Sequence, residues 1–118
     1  MTRVPEKELS LEDIIHLANK VGLEYVEKRR EAERLELLRT TVRAQIMNTL
    51  EESHPQCSEA KLKRLAEAHG DYIKILENIA DSRAASEKLR IRYDSYRNLF
   101  EARRSLLSYK KVEMKALL

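Results

Sequence analysis

Twelve positions of this chain follow one another at alternating steps of three and four residues: Leu11, Ile14, Ala18, Val21, Tyr25, Lys28, Ala32, Leu35, Arg39, Val42, Ile46 and Thr49. Nine of them are apolar, so the spacing carries a hydrophobic seam with three polar interruptions. Such steps keep side chains on one stripe of an α-helix, which turns once in about 3.6 residues. Ser10 is a good N-cap, with Glu12 and Asp13 in the first turn. The pattern predicts one helix over residues 11–52, about 60 Å long at 1.5 Å per residue. Gly22 lies inside it at a cost of about 1 kcal/mol relative to alanine.

The run Ser53-His54-Pro55-Gln56-Cys57 ends that helix, because the residue before a proline is pushed out of helical geometry. Ser58 can cap a short helix over 58–69 carrying Leu62, Leu65, Ala66 and His69 on one face. His69-Gly70-Asp71 then reads as a break or kink, with glycine in a C′ position and aspartate as the next N-cap. A second long helix is expected over 71–116. Its apolar face starts with Tyr72, Ile73, Leu76, Ile79 and Ala80, and the phase slips near 80–85, where Ala80, Ala84 and Ala85 permit close approach. From Ala85 the seam continues through Leu89, Tyr93, Tyr96, Phe100, Arg103, Leu107, Met114 and Leu117.

A charge ladder marks the same helix: Arg83, Glu87, Arg90, Asp94, Arg97, Glu101, Arg104, then Ser108, Lys111 and Lys115, where the ladder positions lose their acids. Pairs three and four residues apart stabilise a helix by about 0.2–0.5 kcal/mol each, which accounts for the ladder up to Glu101 as a solvated face. Only two glycines, two prolines and no tryptophan occur, and 36% of residues are charged. That composition favours helix over strand and leaves little bulk for a globular core. The expected fold is all-α: an elongated antiparallel helical hairpin or coiled coil of two long helices, with a short helix or kink after the turn, as a single domain over 1–118. Residues 1–9, with Pro5, read as a polar and poorly ordered lead. Leu17, Leu23, Val26, Leu37, Leu99 and Leu106 lie off the main stripes, so a homo-oligomer is expected.

No catalytic constellation is present. His16, His54 and His69 are far apart and none has a ligand-spaced neighbour, and two isolated glycines make no phosphate loop. The reading is therefore not an enzyme, with no cofactor, no metal and no small-molecule substrate. Cys57 is the single cysteine, which excludes an internal disulfide and fits a reducing cytoplasm. The N-terminus has no signal-peptide h-region, and no apolar run approaches the roughly 20 residues that span a bilayer.

Charge is distributed unevenly. The net charge is +3, yet residues 83–118 hold ten basic and four acidic groups. Arg103, Arg104, Lys110, Lys111 and Lys115 have only Glu113 nearby, with Tyr93, Tyr96 and Tyr109 interleaved. Cations beside aromatic rings suit single-stranded nucleic acid, whose phosphates need neutralising and whose unstacked bases stack on rings. The competing explanation is that Tyr93 and Tyr96 are core residues and the lysines complement a helix C-terminus. A helix lying on a membrane fits less well, since its apolar face is already needed for the hairpin.

The segment Leu65-Ala66-Glu67-Ala68-His69-Gly70-Asp71-Tyr72 and the closing stretch Tyr93-Asp94-Ser95-Tyr96-Arg97-Asn98-Leu99-Phe100-Glu101-Ala102-Arg103-Arg104-Ser105 resemble small all-helical proteins of phage recombination modules. The architecture is similar to UvsY-type recombination mediators, which oligomerise, bind single-stranded DNA and help load a recombinase. The resemblance implies binding without catalysis, in a host cytoplasm, with recombination proteins as further partners. Arg97, Arg103, Arg104, Lys110, Lys111 and Lys115 would contact phosphates, and Tyr109 would stack a base. The alternative is a structural or adaptor coiled coil that binds another protein.

Overall fold

A computed structural model describes residues 9–117, and all of its regular elements are helices: α1 over Leu11–Ser53, α2 over Glu59–Glu67 and α3 over Gly70–Leu117. The chain forms an antiparallel helical hairpin with a short helix after the turn, as its seams predict. The lead expected over 1–9 lies outside the described residues apart from Leu9.

Local chemistry sets each helix end. Ser10 and Asp13 form a reciprocal capping box: the Ser10 N–H donates to Asp13 Oδ2 at 3.0 Å, and the Asp13 N–H donates to Ser10 Oγ at 3.0 Å. At the other end of α1, His54 N–H donates to the Leu50 carbonyl and His54 Nδ1 lies 3.2 Å from the same oxygen. Ser58 caps α2, its hydroxyl accepting from the Lys61 N–H.

The break between α2 and α3 differs from expectation in its chemistry. Gly70 is not a left-handed C′ residue, since no glycine here has positive φ, and it is instead the first residue of α3. Asp71 is not the cap either. His69 holds that place, with its Nδ1 accepting the Asp71 N–H at 3.1 Å.

Two compact units make up the described residues, one of residues 26–86 and one of residues 9–25 with 87–117. In the first, Tyr72, Ile75 and Ile79 of α3 are buried, and Leu35, Val42 and Ile46 of α1 pack against them. Leu62 and Ala66 bring α2 into the same unit, and Arg43 Nη1 reaches Glu67 Oε1 at 3.2 Å. In the second, Ile14 and Val21 are almost fully buried. Gly22 faces the Tyr93 ring, where an added Cβ would stand 3.3 Å from Cε2. The glycine that sequence counted as a cost is thus a point of close approach.

The α3 seam does not slip near 80–85. Burial runs through Ser82 and Ser86, whereas Ala80 and Ala84 are exposed and Ala85 is half-buried. Ile73 and Leu76, expected on the inner face, are also exposed. Two buried serines carry the seam in phase where an apolar-only reading loses it.

Candidate functional site

The charge ladder borders the α3 seam instead of facing away from it. Each of its positions is one residue beyond a seam position, so its side chains sit about 100° around the helix from the buried line. Arg83 accordingly reaches across to Glu36 of α1 and makes no pair with Glu87. Arg90 pairs with Glu87 and, at 3.3 Å, with Asp94. The Arg90 guanidinium holds the Glu87 carboxyl below the usual carboxylate range, and Glu87 in turn raises Arg90. Arg104 Nη2 donates to Glu101 Oε2 at 2.8 Å. Arg97 behaves differently. Among the described residues it makes no ion pair despite Asp94 and Glu101 on either side, and its guanidinium lies 5.9 Å from the Tyr93 ring centre.

Beyond Arg103 the helix loses its cover. Leu106, Leu107, Tyr109, Val112, Met114 and Leu117 are all exposed, Leu117 to 84%. This stretch carries the cations, and Lys110, Lys111 and Lys115 form no ion pair among the described residues.

The seven expected contact residues fall on three lines of α3. Arg97, Arg104 and Lys111 recur every seventh residue, and with Lys115 they share one stripe. Arg103, half-buried and engaged within the fold, lies with Lys110 on the neighbouring seam line. Tyr109, at about 100° per residue, points away from the Lys111 and Lys115 side and toward that of Leu106 and Val112. The helix therefore brings four cations together and separates the tyrosine from them.

A feature that sequence reasoning missed adjoins the inner end of the cationic stripe. Ile14, Ile15, Ala18 and Asn19 of α1 and Tyr96, Arg97, Phe100 and Glu101 of α3 line a cleft of about 150 Å³. The signal was present in Gly22: setting it opposite Tyr93 places Ala18 beside Tyr96 and Arg97. Elsewhere, His69 and Asp71 border a shallow concavity near the turn, but both already organise the start of α3. Among the described residues no three His, Cys, Asp or Glu side chains are grouped to hold a metal, and no helix is long and apolar enough to cross a membrane.

No protein-family model, curated protein or solved structure matches the chain.

Proposed function

We propose that this chain is a non-enzymatic, self-associating accessory protein that binds single-stranded nucleic acid through the end of α3, in the manner of a phage recombination or replication mediator. The observation that carries the reading is the run of α3 beyond Arg103, where exposed Lys110, Lys111 and Lys115 have no acidic partner among the described residues. Phosphates bound there release condensed counterions, which drives association without base recognition. One lysine in the last turn is enough to complement the helix dipole, and three on two adjoining lines exceed that need. Fluorescence anisotropy with a labelled oligonucleotide tests the reading on the full chain and on the triple variant Lys110→Gln, Lys111→Gln, Lys115→Gln. The variant is expected to keep its helicity and to bind at least about tenfold more weakly at low salt. Equal binding by both proteins, or none by either, ends the reading.

A second reading, a coiled-coil adaptor for another protein, is favoured by the apolar side chains left in water. Leu23 is 70% exposed, Leu37 78% and Val112 67%. Self-association would cover part of that surface. Light scattering coupled to size exclusion is expected to give a dimer or larger; a monomer would leave those side chains for a foreign helix.

A further inference from the structure

We infer that the cleft between the start of α1 and α3 receives one unstacked nucleobase and is what makes the chain prefer single strands to duplex. The inference rests on the proposed nucleic-acid reading and adds a second contact to its cationic stripe.

Size is the first argument. The cleft holds about 150 Å³. A cavity of that order accommodates a single aromatic ring, and pockets for larger organic ligands are several times bigger. Chemistry is the second. Ile15, Ala18, Tyr96 and Phe100 offer aliphatic and aromatic surface, on a floor made by fully buried Ile14. At the rim, Asn19 brings an amide that both donates and accepts, Arg97 brings a guanidinium, and Glu101 brings a carboxylate whose Oε2 accepts from Arg104. A nucleobase has the matching pair of properties: flat apolar faces and a hydrogen-bonding edge.

Arg97 supplies the third argument. It is bracketed by carboxylates in sequence, yet among the described residues it pairs with none and lies over Tyr93. An unneutralised planar cation beside rings suits stacking on a base, and a nearby phosphate as well. Position is the fourth. Arg104 and Lys111 follow Arg97 on the same stripe at steps of about 10 Å, so a strand whose phosphates track those cations is led to the cleft mouth. Bases in a duplex are stacked and paired and cannot turn into such a cleft without being pulled out. Tyr109, on the other side of α3, is not needed for this contact.

The test compares two labelled strands of equal length and charge, one of thymidines and one of abasic sugars, by anisotropy at low salt. Wild-type protein is expected to bind the thymidine strand about tenfold more tightly, the scale of one base–aromatic stack. Ala18→Leu, which fills the cleft with a good helix former, should remove that preference and leave the abasic affinity unchanged. Ile15→Ser, at a wall residue 44% exposed and so tolerant of change, should reduce the preference without affecting the fold. Equal affinity of wild type for the two strands overturns the base-binding cleft while leaving the phosphate-binding stripe in place. Failure to bind either strand removes the nucleic-acid reading, and the cleft's role with it.

Discussion

Single residues govern where these helices begin and how closely they approach. Gly70 opens α3 with ordinary helical backbone, and nothing lies within 4 Å of where its Cβ would be. Replacing it by alanine restricts only the unfolded chain, so Gly70→Ala is expected to add about 0.4–1 kcal/mol in urea unfolding. Gly22→Ala gains the same helix propensity but presses a methyl group against Tyr93 at 3.3 Å. It should therefore gain clearly less than Gly70→Ala, and an equal gain would show that the Tyr93 contact yields freely. The capping box at Ser10 has a pH signature. The backbone N–H of Ser10, and after it the Ser10 side chain, hold the Asp13 carboxyl below its ordinary value. A group with a depressed folded pKa stabilises fully above its unfolded value, about pH 4, and loses that contribution as pH falls through the folded value. The melting temperature of wild type should exceed that of Asp13→Asn at pH 7, with the gap closing toward pH 2; a constant gap would contradict the assigned cap.

At the scale of elements, the three helices and the turn were legible because each is written several times over. The α1 seam repeats at twelve positions, and ten of those are buried or half-buried, with Lys28 and Thr49 the exceptions. Burial on α3 was less legible for a physical reason. An apolar-only search follows Ile73, Leu76 and Ala80, but a seam where two helices come close can be filled by small polar residues, and Ser82 and Ser86 do this. Ser82→Leu is expected to overpack the contact and cost about 1–3 kcal/mol, whereas Ala84→Leu on the exposed side should change stability by less than about 0.5 kcal/mol. Thermal or urea melting of the two variants separates the observed seam from one through the alanines; the reverse order would restore the phase slip. The ladder was legible as paired charge but not as a border of the seam, because pairing within α3 cannot reveal Arg83 reaching Glu36 on another helix. The candidate site was read in the same incomplete way. The cationic run from Arg104 to Lys115 is visible in one dimension, while the cleft beside Arg97 exists only once Ala18 is brought to Tyr96 and Phe100.

For the whole molecule, the proposed phosphate contacts concentrate where α3 has passed its packing against α1, and the base cleft lies at the junction between the two stretches. Up to Arg103, α3 packs along α1: Tyr93, Tyr96 and Phe100 are half-buried, Arg83 and Arg90 are paired, and Arg97 lies over Tyr93. After it, side chains face water, and Lys110, Lys111 and Lys115 make no ion pair among the described residues. The most direct test is the salt dependence of binding to a labelled single-stranded oligonucleotide. If Lys110, Lys111 and Lys115 each neutralise one phosphate, they together contribute about −2 per protomer to the slope of the logarithm of the binding constant against the logarithm of salt concentration. The triple glutamine variant should make that slope shallower by about 2. Absence of binding at low salt, or a slope that the variant leaves unchanged, would contradict the claim that the end of α3 is the binding surface.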